Sequence, residues 1–288
     1  MWIANSYAKI NLGLHVLERL PTGYHNIETG FCFIEWNDRF EVKESDSFNL
    51  KLTNYSIPTD ENNLITQAYN AFNRYIGLKN HYSFNIKKNI PTGAGLGGGS
   101  SNAALTLRML NKLEKIGLSE EELIDLSRDL GADIPFFIKG KTGLGTGLGN
   151  EIEPLDIQPD GWILTIYPDF ESSTAEAYKN CEPNPNPEFS IKRILTEEEL
   201  EEWRYLLQND LEPPVIVRNH LIGNIKDQLY DFGAAYSAMS GSGSSVFGIF
   251  EQDFVAIQAY ESFHDLGFAT NLTKPGFTPD YGIYLKEV

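Results

Sequence analysis

The sequence predicts an α+β protein built as two domains. Three observations carry that expectation. The first 55 residues run in strand-like alternation of polar and apolar residues, long helical periodicities follow, and a change near Leu155 to Gly161 separates halves that each mix both element types. We expect the boundary near residue 157, giving domains 1–157 and 158–288.

Strands are expected over Met1–Ser6, Ala8–Leu17, Thr29–Trp36 and Arg39–Val42, separated by turn signals such as Pro21-Thr22-Gly23. Asn62 to Ile76 reads as a helix with Leu64, Ala68, Ala71, Phe72 and Tyr75 on one face. Tyr82 to Ile86 is a strand feeding a glycine-rich segment. Beyond that segment Ala103, Ala104, Leu107, Leu110 and Leu113 recur at three- and four-residue steps, a core-facing helix that ends by Gly117. Ser119-Glu-Glu-Glu122 is a capping box, opening a helix through Leu123, Leu126 and Leu130 that stops at Gly131. Pro135-Phe-Phe-Ile138 is expected as an apolar strand leading to the glycine-rich stretch Gly143–Gly149. In the second half strands are expected at Trp162–Tyr167, Val246–Phe250 and Tyr281–Lys286. Helices are expected at Glu197–Leu207, Pro214–Tyr230 and Phe254–Leu266, with a Pro/Asn linker over Glu182–Pro187.

Composition narrows the classes. An apolar fraction of 41%, with 17 Phe, 14 Tyr and 4 Trp, is ample for packed cores and excludes a disordered chain. Asp and Glu number 40 against 23 Lys and Arg, a net charge of −17, which argues against nucleic acid or an anionic membrane as the main partner. Cys32 and Cys181 are too few for a disulfide scaffold and lack metal-ligand spacing, so a reducing, cytoplasmic setting is expected. No apolar run reaches the roughly 20 residues of a membrane span, and the N-terminus has no signal-type pattern.

The most informative stretch is Pro91-Thr-Gly-Ala-Gly-Leu-Gly-Gly-Gly-Ser-Ser-Asn-Ala-Ala104. Glycines expose consecutive backbone N–H groups to a close anion, and the helix that follows adds its unpaired donors and positive dipole end. Together they describe a phosphate cradle; a ligand-free flexible turn is the plainer alternative. Gly93-x-Gly95-x-x-Gly98 also matches the dinucleotide fingerprint, but the downstream residues are helical where a second strand with an acidic end is required. A Walker A loop needs Gly-Lys-Ser/Thr, and no lysine lies between Pro91 and Ser101. His-Arg-Asp is missing, so the isolated triplet Asp231-Phe-Gly233 makes no protein-kinase set.

Lys9 lies in an otherwise apolar strand, where burial is costly unless a negative group meets it. Asp133 lies in Gly131-Ala-Asp-Ile-Pro135, beside Phe136 and Phe137. Either residue alone has an ordinary reading, as an edge lysine or a turn cap. Ser240-Gly-Ser-Gly-Ser-Ser245 precedes the strand Val246–Phe250 and is read as a tight turn or as a close backbone approach, to an anion or to the first loop.

The lysine strand, the central glycine loop and the late Gly-Ser loop form an ordered trio. That trio resembles the three motifs of the GHMP kinases, the superfamily of galactokinase, homoserine kinase, mevalonate kinase and phosphomevalonate kinase. Ala8-Lys-Ile-Asn-Leu-Gly-Leu14, Gly23-Tyr-His25, Gly95 to Ala104 and Leu130 to Phe137 are similar to the branch that phosphorylates a hydroxyl of a cytidine-diphosphate-linked polyol in non-mevalonate isoprenoid precursor synthesis. The resemblance runs from Met1 to about Phe250, and Glu251–Val288 carries no motif.

The resemblance implies a two-domain GHMP kinase fold, an N-terminal ribosomal-protein-S5-like domain and a C-terminal ferredoxin-like α+β domain. It implies ATP as phosphoryl donor and Asp133 as the base that takes the substrate hydroxyl proton, with Lys9 beside it. Phosphoryl transfer asks mainly for positioning and charge stabilisation, which such a pair and a backbone cradle supply. Pro91, Thr92, Gly93, Ala94, Gly95, Leu96, Gly97, Gly98, Gly99, Ser100 and Ser101 would hold the ATP phosphates. Mg²⁺ is expected to arrive with the nucleotide; Ser100 or Ser101 is a candidate to help hold it, and no firm metal ligand is named. Tyr24, His25 and Tyr178 match positions against the cytosine, Thr174 lies beside them, and Asn11 would bond the polyol. Two alternatives stay open: another GHMP small-molecule kinase of homoserine or mevalonate type, and a non-catalytic nucleotide-binding module on the same fold. Gly23-Tyr-His25 favours the cytidine substrate, and retention of both Lys9 and Asp133 favours catalysis.

Overall fold

The computed structural model describes residues 1–54 and 57–286. Strands β1 (Trp2–Arg19) and β2 (His25–Ser45) form one long antiparallel ribbon. The four strands expected over residues 1–42 are therefore two. The breaks read from the sequence are shifts of register: Tyr7 pairs with Asn37, but Ala8 pairs with Ile34. A bulge re-aims a strand without ending it, and alternation alone does not separate it from a turn.

Next come β3 (Asn49–Thr53), α1 (Leu64–Ile76), β4 (His81–Lys87), α2 (Gly98–Leu113), α3 (Glu120–Ser127), α4 (Ile134–Lys139) and the hairpin β5 (Gly143–Thr146) with β6 (Glu151–Pro154). The capping box is formed as read: the Ser119 hydroxyl accepts from the Glu122 N–H at 3.2 Å, and the Glu122 carboxylate accepts from the Ser119 N–H at 2.8 Å. Pro135 to Ile138, expected as a strand, is helical. Proline is pre-set for a first helical turn, and Gly140, at φ +66°, ends α4 after six residues, too few to show a period. Gly143–Gly149 is largely the β5 hairpin edge and its turn.

The second half runs β7 (Trp162–Tyr167), α5 (Thr174–Lys179), α6 (Ile191–Glu197), a 3₁₀ turn at Leu200–Glu202, α7 (Trp203–Leu206), α8 (Glu212–Arg218), α9 (His220–Asp231), β8 (Tyr236–Met239), β9 (Val246–Phe250), α10 (Asp253–Asp265), β10 (Ala269–Thr273) and β11 (Tyr284–Leu285). The helix expected over 197–207 starts earlier, because the Ser190 hydroxyl caps α6 at the Arg193 N–H. Glu198 is extended and stops it, leaving the short turns after it. The helix expected over 214–230 is split at Asn219, whose extended backbone ends α8 and whose side chain caps α9 at the Leu221 N–H. The last strand shrinks to Tyr284–Leu285.

One sheet runs β11-β1-β2-β4-β3, with β5 paired to β2 and β6 to β5; the other runs β10-β7-β9-β8. Helices α1, α2 and α4 cover the first sheet over a core that includes Phe40, Phe72, Phe84, Leu107 and Phe136. Helices α9 and α10 cover the second, around Ile225, Leu229, Phe250 and Phe263. A third cluster joins the two, with Ile10, Leu12, Leu96, Ile163 and Phe247 in contact across the join. No helix among the described residues is long and apolar enough to cross a membrane.

Asp38 fixes where the glycine loop begins and ends. Fully buried, its carboxylate accepts from the Asn89 and Ile90 N–H groups at 2.8 and 2.9 Å, from the Asn102 amide at 3.0 Å, and from the Lys88 ammonium. Removing one partner of a buried ion pair leaves an uncompensated charge and costs about 3–5 kcal/mol. Asp38→Ala is expected to lose that much in urea unfolding, whereas Asp38→Leu combined with Lys88→Met loses clearly less. Equal losses would show that the hydrogen bonds, not the charge pairing, set the cost.

Candidate active site

Three loops meet around Lys9. The Lys9 backbone N–H donates to the Leu96 carbonyl, and its ammonium donates to the Gly95 carbonyl, both at 3.0 Å. The late Gly-Ser loop closes on the same spot: Ser240 Oγ donates to the Gly95 carbonyl at 2.9 Å, and the Ser245 N–H donates to Ala94 O at 3.0 Å. Ser240 Oγ also accepts from the Asn11 N–H at 3.2 Å. The Gly-Ser loop thus makes its close backbone approach to the first loop. Gly95 has to be glycine there, because a Cβ would strike the Ser240 carbonyl, and its φ is +75°.

Lys9 Nζ lies 3.6 Å from Asp133 Oδ2, with Lys9 buried and the Asp133 side chain 31% exposed. Burial pulls the Lys9 pKa below its usual value, and the charge and hydrogen bond of Asp133 oppose that shift. Asp133 occupies the N-cap position of α4 without using its side chain as a cap, so its carboxylate is left to face the cleft. Lys9 also donates to Asn11 Oδ1, and the Asn11 amide donates to Thr29 Oγ1 at 2.9 Å, which donates to Gly13 O at 2.6 Å. This relay orients the lysine from beneath. Nothing in the sequence marked Thr29, since it reads as an ordinary strand residue.

A cavity of about 950 Å³ opens at this pair. Lys9, Asn11, Tyr24, His25, Asp133, Thr174 and Tyr178 all line it, together with Gly93, Gly95 and Gly97. The two motifs farthest apart in the sequence are therefore brought to one wall. His25, the first residue of β2, stacks on Tyr178 of α5 with centroids 5.0 Å apart and planes 21° from parallel. Burial, then the Arg19 charge, lowers the His25 pKa, and burial raises that of the Tyr178 phenol. Tyr24 lines the same cavity. It sits at the tip of the β1–β2 turn, 65% exposed at the cavity rim, and the ring beside Tyr178 is that of His25. Thr174 Oγ1 lies 2.8 Å from Ser242 Oγ, joining α5 to the late loop.

A second cavity, about 560 Å³, lies across the glycine loop. Pro91 through Ser100 line it with Asn62, Asn63, Leu64, Lys88 and Asn102. Asn63 caps α1, accepting from the Ile65 N–H; no chemical signal in the sequence tied it to the loop. The N-terminus of the 16-residue helix α2 follows directly, with Gly97 at its N-cap and no side chain on its first donors. Ser101, expected among the phosphate contacts, packs where α2 meets β1. Its hydroxyl donates to the Tyr7 carbonyl and lies 2.6 Å from Ser6 Oγ, while its N–H is taken by Gly97 O. The hydroxyl joins α2 to β1, and the N–H closes the first turn of α2. Ser100 carries no such bonds among the described residues and lines the cavity.

Fold and site together define a kinase of the GHMP class, and the comparisons agree: residues 63–141 match the family described as GHMP kinases N terminal domain, and residues 192–267 match GHMP kinases C terminal. A relative from Pelodictyon phaeoclathratiforme named 4-diphosphocytidyl-2-C-methyl-D-erythritol kinase is 36% identical over 280 residues, covering 96% of this chain and 97% of its own length. One of the same name from Parabacteroides distasonis is 43% identical over 254 residues, covering 85% and 90%. A crystal structure of 4-(cytidine 5'-diphospho)-2C-methyl-D-erythritol kinase superposes with a TM-score of 0.78 at 29% identity, covering 95% of this chain and all of the other. The chain belongs to the 4-diphosphocytidyl-2-C-methyl-D-erythritol kinase family.

Gly97 tests how tightly the site is assembled. Its φ is +66°, and a Cβ would lie 2.8 Å from Phe137 Cζ and 3.1 Å from Lys9 Cε. A side chain there therefore strikes the protein, not the phosphate approach. Left-handed backbone costs roughly 1–2 kcal/mol for a residue with a Cβ, before any clash. Gly97→Ala is expected to lose at least that in chemical denaturation; unchanged stability would show that the loop adjusts freely.

Proposed function

We propose that this protein transfers the γ-phosphoryl group of ATP to the 2-hydroxyl of 4-diphosphocytidyl-2-C-methyl-D-erythritol, giving the 2-phosphate and ADP in the non-mevalonate isoprenoid precursor pathway. The observation that carries the reading is the Lys9–Asp133 pair, 3.6 Å apart where the glycine loop and the aromatic wall share one cavity. In this reading the nucleoside of ATP occupies the cavity bounded by α1 and Lys88, and its phosphates thread the glycine loop toward Lys9. The cytidine end of the other substrate lies among His25, Tyr178 and Tyr24, and Asn11 faces the polyol.

The chemistry follows from the groups present. Asp133 accepts the proton of the 2-hydroxyl as the oxygen attacks, and the Lys9 ammonium stabilises charge on the phosphoryl group in flight. Backbone N–H groups of the loop and the start of α2 hold the remaining phosphate oxygens. Mg²⁺ would arrive with the nucleotide, keeping several waters and taking phosphate oxygens as ligands, with the Ser100 hydroxyl at the loop cavity placed to help hold it; it would neutralise phosphate charge. Small-molecule substrates with no nucleic acid or membrane partner, a cytoplasmic setting, and division into domains 1–157 and 158–288 belong to the same proposal. Two free cysteines and the acidic surface support the setting.

The direct test is ADP release with Mg-ATP and 4-diphosphocytidyl-2-C-methyl-D-erythritol, beside homoserine and mevalonate. Turnover with the cytidine substrate alone is expected; preference for either other alcohol would overturn the substrate assignment. Asp133→Asn is expected to cut kcat by about 10²–10⁴-fold, the usual contribution of a general base, with ATP still bound. Tyr178→Ala removes a stacking face worth about 1–3 kcal/mol against a base. It is expected to raise KM for the cytidine substrate by roughly 5- to 150-fold and leave KM for ATP nearly unchanged. An equal rise for both substrates would contradict a cytidine role.

A further inference from the structure

The proposed base sits at one end of a helix of six residues, and its position depends on what holds the other end. A helix of that length spans about 9 Å, so slack at its last turn is felt at its first. Asp133 makes no capping hydrogen bond that would fix it locally. At the far end Gly140 closes α4 by donating its N–H to Phe136 O at 3.0 Å. The neighbouring carbonyl, Ile138 O, accepts from the guanidinium of Arg108. Arg108 projects from α2, the helix that begins at the glycine loop.

The Arg108 guanidinium lies 4.6 Å from the ring centroid of Tyr281, in the C-terminal segment that carries no sequence motif. A Cβ on Gly140 would lie 2.9 Å from Tyr281 Cε2 and 3.2 Å from Arg108 Nη2, so all three groups meet in one filled space. The segment is itself pinned. Lys112, also on α2, donates to Ile283 O at 2.8 Å, and β11 pairs with β1. The Tyr281 ring also packs edge-on to Phe33, which stacks on Phe136 of α4 at 4.4 Å. The cation at the last carbonyls also suits the helix dipole.

We propose that Arg108 and Tyr281 are positioning residues: they clamp the end of α4 to α2 and so hold the Asp133 carboxylate against Lys9 and in line with the glycine loop. The proposal rests on the reading of Asp133 as the base. A reacting group displaced by about 1 Å loses on the order of 10²-fold in rate, so the clamp acts on kcat. The Tyr281 hydroxyl, buried with no hydrogen-bond partner among the described residues, contributes nothing; the ring does.

The test uses the full chain with Arg108→Met, Arg108→Lys, Tyr281→Leu, Tyr281→Phe and Asp133→Asn. ADP release is measured against both substrates and normalised to folded protein by ATP-binding stoichiometry. Arg108→Met and Tyr281→Leu are expected to lower kcat by about 10- to 100-fold while both KM values change less than about threefold. Arg108→Lys, which can still donate to Ile138 O, is expected to recover part of the loss, and Tyr281→Phe to behave as the parent. Wild-type kcat in the clamp variants beside an inactive Asp133→Asn would overturn the clamp and leave the base reading standing. An active Asp133→Asn would overturn the base reading itself. A loss that vanishes on normalisation, or appears equally in both KM values, would show a role in stability only. Should Arg108→Met not fold, Arg108→Lys and Tyr281→Leu decide the same question.

Discussion

Both ends of the glycine loop are tied to one buried carboxylate. Asp38 takes the Asn89 and Ile90 N–H groups just before the loop and the Asn102 amide just after it, with Lys88 balancing its charge. A stretch holding five glycines has more backbone freedom to lose than any other, and left free it would present its N–H groups in many directions. Fixing the entry and exit to the same two oxygens shortens the span that must be ordered to a few residues. The remaining order comes from contacts that need the absence of side chains. Gly95 lies on the Ser240 carbonyl and Gly97 on Phe137 and Lys9. The glycines of this loop serve the protein's own packing as much as they serve an anion.

That packing explains how a lysine is kept in the interior. Lys9 is buried, and burial works against its charged form. Its ammonium nevertheless has the Gly95 carbonyl, the Asn11 carboxamide and Asp133 as partners. Two are fixed by loop and strand geometry, while the Asp133 side chain is partly exposed. A group held this way is costly to desolvate and gains its return only when an anion enters, a pattern typical of sites where function opposes stability.

Legibility followed how local each signal is. The glycine loop, the Lys9 strand, the Ser119 capping box and the helix after the loop were readable because each is defined by neighbours within a few positions. Pro135 to Ile138 was misread because four apolar residues fit a strand or a helix equally, and the deciding groups, Gly140 and the Arg108 guanidinium, are a helix stop and a side chain from another helix. Two long strands were read as four because a bulge and a turn look alike in alternation. The site residues that were readable carry chemistry in their type. Thr29 and Asn63 do not, and Ser101 has a donor whose use is decided only by β1 packing against α2. Likewise, whether Tyr24 or His25 lies on Tyr178 is set by hairpin geometry, which places one at the tip and the other at the first paired residue.

The charge distribution resolves an apparent conflict between a net charge of −17 and two polyanionic substrates. Net charge sets solubility and long-range encounter, which salt screens beyond about 8–10 Å. Inside the cleft the sign is reversed locally. Lys9, Arg19 and Lys179 line the larger cavity and Lys88 the smaller, with the positive end of α2 pointing between them. Among the described residues Asp133 is the one carboxylate lining the larger cavity, and it stands against the buried lysine. Because these groups act at contact distance and partly out of water, they outweigh the distant surface acids. The acidic exterior instead makes the cleft the favoured place on this molecule for an anion to stay.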